Sequence, residues 1–192
     1  MYAASPPLRA PAHTPIRSAR LTLRPYLPSD QAAFFQLIDE NRPRLRPSFP
    51  SREASVQTLA DAASVLAMFQ QDWQAGRLYV FGIWHSESHT YLGDISLKPN
   101  WTAPVTAEIG YYLAAIAEGQ GYAREALAAV VPFGFETLRA ARLLIRCRAD
   151  NPRSCAVAES VAFTPLPPRP CLLQPFADRS ILYYIRKQAS LT

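Results

Sequence analysis

Glu108-Ile109-Gly110-Tyr111-Tyr112-Leu113, then Ala114 to Ala117, then Glu118-Gly119-Gln120-Gly121-Tyr122-Ala123, followed by a long run of helical periodicity, is the stretch on which the fold reading turns. It reads as a strand that passes through glycines into a helix N-terminus. Glycines let the backbone come close to a ligand, and the first N–H groups of a helix have no partner inside it. An anion such as a phosphate fits there. A plain turn entering a helix looks the same, so these residues alone leave both readings open. No Gly-Lys-Ser/Thr follows, which excludes the P-loop. The strands upstream look antiparallel and no acidic residue follows at the spacing of a dinucleotide site, so that reading fails too.

Working outward, the segments on the N-terminal side alternate as strands. Leu78–His85 and Thr90–Leu97 are joined by a short polar turn and read as a hairpin, with Ala107–Leu113 next to them. Before them come the strand Arg20–Arg24, a helix opened by Ser29 or Asp30, the loop NRPRLRPSFPS with three prolines, and a helix from Ser55 to about Ala75. After the glycines the order is helix Gly121–Leu138, strand Ala141–Ala149, helix Pro152–Ser160 and a last strand Ser180–Arg186. Antiparallel strands passing into β-α-β-α order predict a mixed α/β sheet of six or seven strands. Residues 1–18, with Pro6, Pro7, Pro11 and Pro15, read as a flexible arm, and 19–188 as one domain.

Composition bounds the rest. A length of 192 residues is below the roughly 250–300 at which chains usually split into domains. Hydrophobic residues at 49% exclude a disordered chain, and no apolar run approaches the ~20 residues of a spanning helix. The N-terminus has no stretch resembling a signal peptide, so the expected location is cytoplasmic. Cys147, Cys155 and Cys171 form no Cys-x-x-Cys pair, which argues against a disulfide scaffold or a metal site. The net charge is 20 − 15 = +5 and is scattered, with no dense basic block, so no nucleic-acid partner is expected.

A second motif sharpens the first: Asp150-Asn151-Pro152-Arg153-Ser154, then AVAES and Val161-Ala162-Phe163. With EIGYYL and EGQGYA before it, the chain resembles the GNAT acetyltransferase superfamily, RimJ/RimL-type branch, from about Arg20 to Lys187. RLTLRPYLPSD and ENRPRLRPSFP resemble the same branch.

The resemblance implies a single-domain GNAT-type sheet flanked by about four helices, with two central parallel strands, AEIGYYL and ARLLIRCRA, splayed apart. It implies acetyl-CoA as cosubstrate and a primary amine as acceptor, in a monomer or small homodimer. Pantetheine would lie in the gap, bonded by backbone near Leu113 and Ala114. The loop Gly119, Gln120, Gly121, Tyr122 and Ala123 would hold the diphosphate, and Asn151 would contact CoA.

Aminolysis of a thioester needs a neutral amine, donors for the oxyanion and a proton for the thiolate. An α-amine of pKa ~7.8 is roughly 30% neutral at pH ~7.4, whereas a lysine is ~0.1% neutral, so an N-terminal amine asks little of a base. Glu108 is the candidate carboxylate and Ser154, near the CoA sulfur, the candidate proton donor. Glu108 reads equally as an exposed strand-end residue and Ser154 as a cap. Tyr111 and Tyr112 alternate across the strand, so only one can face the cleft.

Three departures from the family pattern stand out. Glu118 replaces Gln or Arg beside the diphosphate and predicts weakened CoA binding. Ala162 replaces the glycine before Phe163. TPLPPRP replaces an ordinary turn. These leave a second reading, a catalytically degenerate CoA-binding or interaction domain. The acceptor loops ENRPRLRPSFPS, PNWTAPVT and TPLPPRPCLLQP carry no legible code for the amine.

Overall fold

Thr106–Leu113 lies between two neighbours of opposite sense, and this position organises the whole sheet. In the computed structural model, which describes residues 13–167 and 180–188, eight strands form one sheet in the order β1-β2-β3-β4-β5-β6-β8-β7. They are β1 (Ile16–Arg17), β2 (Leu21–Arg24), β3 (Tyr79–His85), β4 (Tyr91–Asn100), β5 (Thr106–Leu113), β6 (Arg142–Arg148), β7 (Thr164–Pro165) and β8 (Ile181–Lys187). All neighbours are antiparallel except β5 and β6. These two are parallel because a helix, α4 (Tyr122–Pro132), carries the chain back between them.

The count exceeds six or seven because two edge strands, β1 and β7, have two residues each. β1 falls in the stretch assigned to the arm. Ser18 N–H donates to the Leu21 carbonyl at 2.9 Å and Leu21 N–H donates to Ser18 Oγ at 3.1 Å, closing a tight turn that lays Ile16–Arg17 on β2. Residues 1–12, Cys171 and the part of TPLPPRP from Pro168 lie outside the described residues.

The other helices are α1 (Gln31–Leu45), α2 (Pro50–Ala54), α3 (Leu59–Gln74) and α5 (Pro152–Ser160), five among the described residues rather than about four. The additional helix comes from NRPRLRPSFPS, expected as a loop. There α1 runs on through Pro43, and α2 starts at Pro50, the first helical position, where no N–H is needed. Burial of Asn41 and Leu45 holds the last turn of α1 against the proline's preference. Asn41 Nδ2 donates to the Leu37 carbonyl at 2.8 Å, and its Oδ1 accepts the Ala115 N–H at 2.9 Å.

Two helix starts also differ from expectation. Asp30 caps no helix with its side chain: it accepts the Leu27 N–H and the Arg24 guanidinium in the 3-10 turn ahead of α1. α3 is capped by Thr58 rather than Ser55, with Asp61 closing a reciprocal capping box.

Helices cover both faces of the sheet. Val80 and Tyr112 point to the face of α1 and α3 and pack with Phe34, Ile38, Leu66 and Phe69. Tyr79, Phe81, Ile109 and Ile145 point to the other, with Leu127, Val130, Ala158 and Phe163. Each fully buried side chain of this kind contributes ~1.5–3 kcal/mol before entropy. Among the described residues no helix is long and apolar enough to cross a membrane.

What positions the site is the ladder between β5 and β6. It pairs only Thr106–Ile109 with Arg142–Ile145. Beyond that point β5 continues along β4 to Leu113, and β6 continues along β8 to Arg148. The two strands part at Gly110 and Arg146 and leave a notch through the sheet.

Candidate active site

The open end of the notch is bounded on one side by the glycine loop. After β5 comes a 3-10 turn, Ala115–Ala117, and then Gly119 at φ 75° and Gly121 at φ 80°, both in the left-handed region that glycine takes without cost. α4 starts at Tyr122 with no side-chain cap, so its first N–H groups are donors awaiting an acceptor. Open space lies where a Cβ on Gly119 would stand. These features fit an anionic group such as a diphosphate. Ala114 fits its expected part less well. Its N–H donates to the Leu92 carbonyl at 2.8 Å and its carbonyl accepts from Ala117 at 2.9 Å. The backbone left along the notch is that of Gly110–Leu113. The exposed Gln120 side chain folds back on its own loop, donating to the Ile116 carbonyl at 3.0 Å.

On the far side of the notch α5 begins. Asn151 is its N-cap, and Asn151 Oδ1 accepts the Ser154 N–H at 3.2 Å. Ser154 Oγ lies 3.2 Å from the Tyr111 hydroxyl and 3.4 Å from Cys147 Sγ. Tyr111 also donates to the Ser154 carbonyl at 3.0 Å. With the phenol hydrogen on that carbonyl, the Ser154 hydroxyl hydrogen can turn toward a third group. Burial raises the Tyr111 phenol well above its ordinary value against the lowering effect of the Ser154 bond. Burial likewise pushes the Cys147 thiol up to about 11. Both groups keep their protons at neutral pH, so the cluster is a set of neutral donors. The two tyrosines divide as alternation requires, Tyr111 to α5 and Tyr112 to the opposite face.

Glu108 is not among these groups. It shares the face of Gly110, whose open side looks at Phe49, and of Tyr112, while Ser154 belongs to the other face. Its Oε1 accepts the Arg146 Nε–H at 2.7 Å, just before the strands part. The two candidate catalytic residues therefore stand on opposite sides of the sheet, and the notch is the opening through which both could address one bond.

Glu118 is ion-paired on two sides. Its carboxylate is shared by Arg44 of α1 and by Arg153 of α5, the latter at 2.7 Å. Two guanidinium groups offset the charge that, from sequence, stood beside a diphosphate. Neither arginine was legible as a partner of Glu118, since they lie in separate segments brought together only by the fold.

The second departure takes the strained form. Ala162 has φ 58°, and the last carbonyls of α5 are satisfied there: Ala162 N–H reaches the Glu159 carbonyl and Phe163 N–H the Ala158 carbonyl. An alanine in this conformation costs ~1–2 kcal/mol, offset in part by the ~0.4–1 kcal/mol of extra freedom a glycine gives the unfolded chain. Ala162→Gly is expected to stabilise by about 0.5–1 kcal/mol, a rise in Tm of about 1–4 °C by calorimetry. A lower Tm would contradict the strain.

The model of the acetyltransferase (GNAT) domain matches residues 20–164, so the chain belongs to the GNAT acetyltransferase family. It is a GNAT N-acetyltransferase of RimJ/RimL-like type. It is 32% identical over 124 residues to the ribosomal-protein-serine acetyltransferase of Escherichia coli (strain K12), a match covering 65% of this chain and 68% of that protein. Among solved structures it resembles a RimL ribosomal α-N-protein acetyltransferase in complex with coenzyme A, with TM-score 0.75, 24% identity, and 91% and 98% of the two chains covered. It also resembles the ribosomal-protein-S5-alanine acetyltransferase of Vibrio fischeri, with TM-score 0.78, 17% identity, and 93% and 99% covered. At these identities the structural likeness speaks for the fold.

Proposed function

We propose that this chain, acting in the cytoplasm, moves an acetyl group from acetyl-CoA to a primary amine by direct attack in a ternary complex. The acceptor of choice is the α-amine of a protein or peptide N-terminus, with a small amine as the other member of the class. The observation that carries this is the notch between β5 and β6, with uncapped N–H donors at one rim and a proton-bearing hydroxyl at the other.

In this reading acetyl-CoA supplies the activated acetyl group as a thioester. Gly119, Gly121, Tyr122 and Ala123 hold the diphosphate by backbone N–H groups, and the backbone of Gly110–Leu113 lines the pantetheine arm. Asn151 keeps the first turn of α5 in place, so that Ser154 Oγ can give its proton to the departing thiolate and recover one from Tyr111 or Cys147. Glu108, on the opposite face, accepts the amine's proton directly or through water. The relative from Escherichia coli is named for a ribosomal protein, and this similarity supports a ribosomal-protein N-terminus as acceptor.

A panel of N-terminal peptides beside small amines, with CoA release as the signal, tests the proposal. Turnover is expected with at least one α-amine, and faster than with a peptide whose only amine is lysine. Tight acetyl-CoA binding with no CoA release from any amine would overturn it in favour of a degenerate binding domain.

A further inference from the structure

Arg20 lies outside every motif that points to the glycine loop, in the turn between β1 and β2, yet its guanidinium ends beside that loop. Nη1 donates to the Gln120 carbonyl at 3.1 Å. Nε and Nη2 donate to Glu125 Oε2 at 2.8 and 2.7 Å. The guanidinium stacks over the Tyr122 ring, 4.6 Å from its centroid. Glu125, in the first turn of α4, also accepts the Arg20 backbone N–H at 2.7 Å and the Ser18 hydroxyl at 2.8 Å. A Cβ on Gly121 would stand 3.6 Å from Arg20 Nη2. These bonds engage all three guanidinium nitrogens within the chain, so Arg20 is built to hold protein groups rather than a ligand.

What it holds has a directional consequence. In a trans peptide unit the C=O and N–H point in opposite directions. Drawing the Gln120 carbonyl toward Arg20 therefore aims the Gly121 N–H away from it, toward the side on which the loop is open. Gly119 and Gly121 flank this unit, and two glycines would otherwise let it turn over at little cost. Arg20 also offsets the charge of Glu125, which stands one turn inside the helix end, where an uncompensated carboxylate would repel an incoming anion.

We propose that Arg20 is a positioning residue of the anion cradle: through the Gln120 carbonyl and the Glu125 carboxylate it fixes the Gly119–Gly121 turn in the form that presents its N–H groups to the diphosphate of the acyl donor. This rests on the reading of residues 119–123 as the diphosphate site.

Calorimetric titration of acetyl-CoA into the full chain, Arg20→Ala and Arg20→Lys tests it. Steady-state kinetics with acetyl-CoA and with acetyl-pantetheine, which lacks the diphosphate, completes the comparison. Arg20→Ala is expected to raise Kd and KM for acetyl-CoA about tenfold, the scale of a lost charged hydrogen bond, with kcat within about twofold. KM for acetyl-pantetheine should not move. Arg20→Lys, which can reach one partner but not both, should lose about threefold, and it carries the comparison should the alanine variant not fold. An unchanged Kd in a folded Arg20 variant would overturn the inference. So would an equal loss with both donors, which marks general damage to the fold. No acetyl-CoA binding by the unaltered protein would instead remove the diphosphate reading itself, and the inference with it.

Discussion

Ser154→Ala is expected to lower kcat about a hundredfold, the usual scale of a positioned proton transfer, and to leave KM for acetyl-CoA within about threefold. The asymmetry follows from place. The Ser154 hydroxyl lies between the Tyr111 phenol and the Cys147 thiol, two neutral donors, at the rim of the notch. The N–H groups proposed to hold the diphosphate lie on the opposite rim, after β5. Removing Oγ takes away a proton path and almost no binding surface. The cap of α5 also survives, because it uses the Ser154 backbone N–H. Steady-state CoA release with saturating peptide reads the effect. A kcat within about threefold of the unaltered enzyme would mean that the thiolate takes its proton elsewhere, and Ser154 would then be a residue of the α5 turn only.

The second large effect concerns the opposite face. Asp94→Ala is expected to destabilise by about 3–5 kcal/mol, the scale of a broken buried ion pair, and to lower Tm on the order of 10 °C. The Asp94 side chain is 2% exposed and pairs with Arg52 of α2, itself 14% exposed. The Tyr26 hydroxyl donates to Asp94 Oδ2 at 3.1 Å, and the Arg52 guanidinium sits over the Phe69 ring at 4.5 Å. Without the carboxylate, Arg52 is a desolvated cation left with aromatic faces and one neutral partner, the Tyr112 hydroxyl at 3.3 Å. Asp94→Asn with Arg52→Met removes both charges and should recover most of the loss, since an apolar replacement of both partners is commonly neutral. Thermal unfolding of the two variants decides it. A single variant that melts within about 2 °C of the unaltered protein would show that the pair is solvated in practice.

This pair also has a functional side. Arg52 moors α2 to the sheet, and Phe49, just ahead of α2, packs on Tyr112 with ring centroids 5.3 Å apart and faces Gly110. The wall of the notch on the Glu108 side therefore depends on a buried charge pair rather than on helix propensity, which a five-residue helix cannot supply.

Features contained in one short stretch were legible in the sequence. Helix Pro152–Ser160 carries its cap at Asn151 and proline at its first position, so its start could be read directly. The glycine loop, likewise, lies between Leu113 and Ala123. Pairings across the chain were not legible. Arg20 and Glu125 are 105 residues apart, and Glu118 meets Arg44 and Arg153 from 74 and 35 residues away. NRPRLRPSFPS was misread because its three prolines outweigh, locally, the burial of Asn41 and Leu45, which only the folded sheet provides. Alternation did assign Tyr111 and Tyr112 to opposite faces. The same alternation puts Glu108, four residues before Tyr112, on the Tyr112 face.

The most direct test of the central claim is calorimetric titration of acetyl-CoA into the full chain beside Gly121→Trp. The indole would displace Arg20 and sit on a backbone held at φ 80°. Micromolar binding by the unaltered chain, lost in Gly121→Trp, is the result predicted for a diphosphate cradle at residues 119–123. No heat of binding in the unaltered chain, or equal binding in both, would contradict it.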